Sequence, residues 1–419
     1  MREMKDSGIE WIGQIPKDWD VVPHKRVMHK VKKICEQYNG EDIISLTMNG
    51  VIKRDLTAGG KMPTSFDGYQ YVKPNDLLLC LFDIDVTPRC VGVVKDYGVT
   101  SPAYSRFVMH DGYYNAYYDY LLRAIDDDKV FVHLSKNLRS SLTESDFGAI
   151  KTCVPSLAEQ ERIAAFLDAE CAEIDTVLEK TRASIEEYKK LKQAVITQAV
   201  TKGIRGDRPM KDSGIEWIGD IPAEWGVVPH KRIMHKVKEI CEQYNGEDII
   251  SLTVNGVVKR DLTAGGKMPT SFDGYQYVEP NDLLLCLFDI DVTPRCVGVV
   301  RDYGVTSPAY SRFVMYDGYY NAYYDYLLRM IDDNKVFVHL SKNLRSSLTE
   351  SDFGAIKTCA PPLAEQKCIA AFLDVRCDEI DALIAKKQQY FTEIETYKKS
   401  LIYEYVTGKK EVKTSVLAD

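Results

Sequence analysis

The side chains of this sequence that could do chemistry are cations, amides and hydroxyls set in turn-rich loops. Lys53, Arg54 and Lys61 lie in NGVIKRDLTAGGK, Arg89 in DVTPRC and Arg106 in SPAYSRF. Lys136, Asn137, Arg139, Ser140 and Ser141 lie in HLSKNLRSSLTESDF. Arg and Lys can fork onto guanine edges or neutralise phosphate, Asn can pair with adenine, and Ser can hold phosphate oxygens. Taken singly, each loop reads as a solvated turn. Repetition makes them more than that, because the same residues recur as Lys259, Arg260, Lys267, Arg295, Arg312, Lys342, Asn343, Arg345, Ser346 and Ser347.

Other chemistries find no support. GxGxxG, GxxxxGK[ST], HExxH and the [DN]PP[YF] of amino-methyltransferases are all missing. The pairs His24 and His29, and His230 and His235, lie five apart, which is not helical ligand spacing, so they read as surface or half-buried histidines. The run Phe82-Asp83-Ile84-Asp85 could suggest a metal site, but LLLCLFDIDVTPRC reads better as a strand end entering a loop. Tyrosine-rich stretches such as GYYNAYYDYL read mostly as core or hydroxyl-bearing surface. The formal net charge of −8 counts against coating nucleic acid by bulk charge, so nucleic-acid binding would need local basic patches. Eleven cysteines without a CxxC pair point to a reducing cytosol, and so to a cytoplasmic protein. No apolar run approaches a membrane span, and MREMKDSG lacks the apolar region of a signal peptide.

The elements that must position these loops come as one unit written twice. MKDSGIEWIG begins at Met4 and again at Met210, a shift of 210 − 4 = 206. The register holds through Asp168 and Asp374 with about 17 substitutions over some 165 positions. Within each copy, residues 42–47, 76–82, 90–95 and 106–109 read as strands between turns such as Asn49-Gly50, Asp67-Gly68 and Asp111-Gly112. Residues 116–125 read as a helix, residues 143–149 as a short helix capped by Thr143 or Ser145, and residues 150–154 as an extended run into Pro155.

From Leu157 to Lys202 there is neither proline nor glycine, and Cys171, Ile174, Leu178, Ile185 and Tyr188 recur at helical three-four steps. From Leu363 the matching seam is Cys377, Ile380, Ile384, Phe391 and Ile394. Each helix is about 65–70 Å long at roughly 1.5 Å per residue, more than a small domain needs for its own core. To bury both seams, the second helix must fold back along the first. The expected fold is therefore α/β: two near-identical mixed α/β domains separated by two long antiparallel coiled-coil helices, with a pseudo-two-fold axis. Competing arrangements are a stalk that dimerises with another molecule and a straight rod that leaves both seams in water. The expected boundaries are 1–155 and 206–361 for the domains, and 156–205 and 362–419 for the helices. Duplex DNA has the same symmetry, and inverted half-sites one turn apart, roughly 34–36 Å, suit such a helical ruler.

Three stretches resemble the specificity subunit of type I restriction-modification systems. They are SGIEWIGQIPKDWDVVPHKR, the turn and helix PSLAEQERIAAFLD, and EIDALIAKK…YKKSLIYEYVTGK. The likeness spans essentially the whole chain in the order target-recognition domain, conserved helix, target-recognition domain, conserved helix. It implies a non-catalytic subunit that binds a bipartite site on double-stranded DNA. It further implies that adenine methyltransferase subunits bring S-adenosylmethionine and that restriction subunits use ATP and Mg, with no cofactor or metal in this chain. The loop from Ser135 to Ser141 matches a polar loop of that family expected to face DNA. The chain departs from the family in one respect: its two recognition domains are nearly the same, so the expected target is palindromic. The rival readings are a protein-interaction scaffold and an unpaired or decoy specificity subunit without a role in cleavage.

Overall fold

A computed structural model describes residues 2–48, 50–57, 63–87, 89–135, 140–263, 269–293, 295–341 and 346–413. The packing divides the chain into two compact units rather than four pieces. The first comprises Met1–Arg182 with Gln389–Asp419, the second Ala183–Gln388. Each long helix thus contributes residues to both units.

In the first unit, Met4–Asp6 pairs with Gln14–Pro16, and Asp20–Pro23 with Lys151–Val154, all antiparallel. An antiparallel sheet runs in the order Met28–Val31, Ser105–Met109, Leu77–Leu79, Val91–Val93. A second sheet runs Gly50–Lys53, Ile43–Thr47, Gly98–Thr100, Gln70–Val72, with one parallel pairing between Ile43–Thr47 and Gly98–Thr100. Leu77, Leu78 and Leu79 are all buried because alternate residues of a strand face opposite ways. Leu77 and Leu79 join the main core with Trp19, Tyr117 and Phe147. Leu78 turns to a smaller core with Ile44, Val51 and Val72 of the second sheet. The sheets approach so closely that a Cβ on Gly92 would lie 2.8 Å from the Val51 side chain, so only glycine fits there.

The second unit repeats this fold. Met234–Val237, Ser311–Met315, Leu283–Leu285 and Val297–Val299 form the first sheet. In the other, Ile250–Thr253 pairs with Gly256–Lys259 and Gln276–Val278 with Gly304–Thr306, joined by a bridge from Ile249 to Val305. The sequence expectation found the strands at Ile43–Thr47, Leu77–Leu79, Val91–Val93 and Ser105–Met109 but missed most three- and four-residue strands. Runs so short carry too few alternations to register as a pattern. Thr143 is the cap of Glu144–Ala149: its Oγ accepts from Asp146 N, while the Asp146 carboxylate accepts from Thr143 N.

The long helices are Leu157–Lys202 and Leu363–Val406. Each stops where the chain takes a left-handed turn, at Gly203 (φ +76°) and Gly408 (φ +72°). In the first unit Phe166 packs on Tyr405 with ring centroids 4.4 Å apart, Asp175 pairs with Lys398 at 2.6 Å, and Arg182 lies over Phe391. One number rises as the other falls, so these segments are antiparallel. In the second unit Tyr188 meets Lys387, and Lys192 meets Asp381 at 2.6 Å, again antiparallel. Cys171, Ile174, Ile185, Cys377 and Ile380 are buried, and Leu178, Tyr188, Ile384, Phe391 and Ile394 are half-buried, as a seam requires.

Candidate nucleic-acid interface

Lys53 ends the edge strand Gly50–Lys53, its ammonium 2.8 Å from Asp42 and 3.6 Å from Asp96. Hydrogen bonding to Asp42 holds its pKa above the ordinary lysine value. Lys259 repeats the arrangement with Asp248 at 2.8 Å and Asp302 at 3.7 Å. Arg54 and Arg260 follow, exposed, their backbone N–H groups held by the carbonyls of Ile43 and Ile249. This edge is charged but locally balanced. A phosphate there would compete with two carboxylates for each lysine.

A second cluster forms where Leu81 and Ile84 lie beside residues 140–142. Ile84 N donates to Ser140 O at 3.0 Å and Leu142 N to Leu81 O at 2.8 Å. The counterparts are Ile290 N to Ser346 O and Leu348 N to Leu287 O, and Asp289 N also donates to Ser347 Oγ. Ser140 and Ser346 take the left-handed conformation at φ 43°. Arg89 is half-buried, 3.4 Å from Asp127, and Arg295 is 3.1 Å from Asp333. The run around Asp83 is the loop expected from the sequence: Thr87 N and Oγ1 both donate to Asp83 O. The structure therefore sets Ser140 and Ser141 beside Leu81 and Ile84, holds Arg89 against Asp127, and places Lys53 and Arg54 at the edge of the second sheet. Lys61, Lys136, Asn137, Arg139, Lys267, Lys342, Asn343 and Arg345 lie outside the described residues.

Arg106 and Arg312 occupy a different place from the one their loop suggests. Arg106 is 9% exposed; its Nε and Nη2 donate to Asp76 at 2.6 and 3.2 Å and its Nη1 to Tyr71 O at 3.1 Å. Arg312 holds Asp282 at 2.5 Å and Tyr277 O at 3.0 Å. Each ties a strand of the first sheet to a strand of the second. A cation committed to a buried carboxylate this way cannot also reach outward, because stripping its partner would leave a buried charge unpaired. The sequence could not show this: the partner lies thirty residues away and ordinary spacing does not link the two.

The turn-and-helix motif also has a structural role. Glu159 is buried, accepting from Trp19 Nε1 at 2.9 Å and paired with Arg2. Gln160 accepts from Tyr114 N at 2.8 Å and donates to Pro155 O at 2.9 Å. Glu365 and Gln366 repeat these contacts with Trp225, Arg208, Tyr320 and Pro361. Thus Ala-Glu-Gln pins the start of a long helix onto the sheets. The far end of the other helix is held too: Tyr117 donates to Val406 O and Tyr323 to Val200 O, both at 2.8 Å. Those carbonyls have no partner within their helices. Burial pushes the neighbouring Cys153 and Cys359 thiols up to about 11, away from thiolate chemistry. Among the described residues no group of three or more His, Cys, Asp or Glu could hold a metal ion, and no helix is long and apolar enough to cross a membrane.

Two sheet-based units, each clasped by antiparallel segments of two long helices and bearing the same polar loops, define a duplicated α/β architecture. The chain is 24% identical over 437 aligned residues to a Methanocaldococcus jannaschii chain provisionally assigned as the specificity subunit of type I restriction enzyme MjaX, covering 96% of each. It is 26% identical to the specificity subunit of type I restriction enzyme MjaVIII from the same organism, over 64% of each chain. No protein-family profile matches it. In fold it is similar to a solved chain from a study of complex assembly and conformational transition in the type I R-M system. That likeness has a TM-score of 0.69 at 14% identity, covering 94% of this chain and 99% of the other. The chain is similar in sequence and fold to type I restriction-enzyme specificity subunits, as its sequence resemblance implied.

Proposed function

We propose that this chain is the DNA-recognition subunit of a type I restriction-modification complex and that its target is a palindrome. The observation that carries this reading is the duplication of the candidate interface. Lys53, Arg54, Arg89, Ser140 and Ser141 reappear unchanged at Lys259, Arg260, Arg295, Ser346 and Ser347, on the same strands and loops. Equal surfaces read equal half-sites, so a half-site and its reverse complement would flank an unread spacer. Arg106 and Arg312 support this surface from within and leave the contact set.

The chain itself does no chemistry in this reading. Adenine methyltransferase subunits dock on it with S-adenosylmethionine, and restriction subunits bring ATP and Mg. Sequencing methylated adenines in a host that carries the chain and its methyltransferase tests the idea. Two matching inverted half-sites are expected, and two unlike half-sites overturn the palindrome. Inserting or deleting helical turns within residues 171–195, with matching changes in the second helix, should alter the spacer or abolish methylation. An unchanged spacer would remove the ruler from the proposal.

A further inference from the structure

The two interfaces are not duplicated everywhere. Between residues 4–155 and their counterparts, charge changes sign at two positions: Lys33 becomes Glu239, and Lys73 becomes Glu279. They are forty residues apart in sequence, yet they converge on one spot. Glu239 lies 3.8 Å and Glu279 4.0 Å from the guanidinium of Arg312, and both are well exposed. In the first unit Lys33 and Lys73 are exposed on the same backbone. Tyr71 N there bonds to Lys33 O, and the Lys33 ammonium lies 5.4 Å from the Tyr71 ring, whose backbone carbonyl holds Arg106.

This spot adjoins the lysine-bearing edge. Tyr71 stacks on Tyr97, which follows Asp96, a partner of Lys53. Tyr71 also donates to Glu41, beside Asp42, the other partner. The scaffold is the same in the second unit, where Tyr277 stacks on Tyr303. One frame therefore presents two lysines beside the first interface and two glutamates beside the second, +2 against −2. Asp76 and Asp282 neutralise the buried arginines alike, so the exposed pairs set the local sign.

We infer that the first unit is the anchoring half of the protein, with Lys33 and Lys73 gripping backbone phosphates beside its half-site while Glu239 and Glu279 weaken the grip of the second. The two half-sites are read alike but held unequally. This rests on the DNA-recognition reading and is tested apart from it. Phosphate contacts carry no sequence information but set the salt dependence of binding, each one contributing about 0.9 to the slope of log affinity against log salt.

The test is the affinity of the full chain for a mixed-sequence DNA duplex across a salt series. K33E/K73E should flatten the slope by about 1.8, and E239K/E279K should steepen it by about the same amount. The milder K33Q/K73Q and E239Q/E279Q pairs should give the same directions, and melting curves show whether each variant folds. K180E/K190E, on an exposed helix face, changes net charge equally and should leave the slope unmoved. A wild-type chain that binds duplex while folded variants keep its slope overturns the anchor but not DNA recognition. So does an equal change in K180E/K190E, which would make the effect bulk charge, or a change confined to methyltransferase affinity, which would make the patch a protein surface. A wild-type chain that retains no duplex at low salt overturns both.

Discussion

The two units reach one fold by different routes along the chain. The second is continuous, from the tail of the first helix through its sheets to the start of the second helix. The first is assembled from both ends of the chain, its sheets waiting for residues 389–413 to supply the returning helix. Yet Tyr117 takes the carbonyl of Val406 as Tyr323 takes that of Val200, and most core residues of the sheets correspond. Local complementarity decides the packing, and connectivity decides only how much chain must be closed to reach it. The surroundings of the closure differ as well. Arg208 is held by Glu365, Glu224 and Lys202 O with 10% of its side chain exposed, whereas Arg2 keeps 23%.

That comparison breaks most visibly by truncation. Deleting residues 389–419 removes Leu401, Ile402, Val406 and Val412 from the first core and nothing from the second. At about 1.5–3 kcal/mol per buried side chain, the loss of roughly 6–12 kcal/mol matches a whole domain's stability. Hydrogen exchange should show the first unit unprotected and the second intact. Equal protection of both would mean that the first unit stands without its returning helix.

Removing the carboxylate at the helix start sharpens the same contrast. Glu365→Ala removes the buried carboxylate from the more buried arginine, leaving it Glu224 and Lys202 O, and should cost about 1.5–3 kcal/mol, with Glu159→Ala costing less because Arg2 is closer to water. Chemical denaturation followed unit by unit reads the difference, and equal losses would deny the role of burial. Acid should affect both units alike. His24 and His230 are fully buried against Phe147 and Phe353, and burial pushes each imidazole down to about 4. A histidine depressed by folding contributes stability that is complete above its unfolded pKa near 6.5 and drains as pH falls toward 4. The loss is about 3 kcal/mol per unit. His24→Phe should remove that dependence from the first unit alone. The smallest effect is at the helix cap. Ser156 Oγ accepts from Glu159 N, and Pro362 in its place cannot, so Pro362→Ser should raise stability by about 0.5–1 kcal/mol.

Much of the turn structure around the candidate residues was legible without coordinates. Turn residues marked the loops at Arg54 and Asp83 as surface, and both are exposed, whereas Lys53 ends an edge strand and Arg89 is half-buried beside Asp127. Arg106 was misjudged from the same evidence, since a cation in a polar loop looks identical whether it meets solvent or a buried Asp76. Lys33 and Lys73 went unnoticed for another reason: forty residues apart, they are linked only through the bond from Tyr71 N to Lys33 O, which spacing along the chain does not show.

What the amino-acid order determined by itself was periodicity and identity. It carried the repeat of 206, two unbroken helical seams, and a set of loops obliged to fold alike because they are spelled alike. What only the tertiary structure decided was pairing. Which carboxylate each arginine would take, which helix end each buried tyrosine would hold, and which lysines would become neighbours all depend on residues distant along the chain. Spacing along a chain sets what one element exposes, whereas electrostatic and hydrogen-bond partners are settled over a few ångströms of space, where sequence separation has no force.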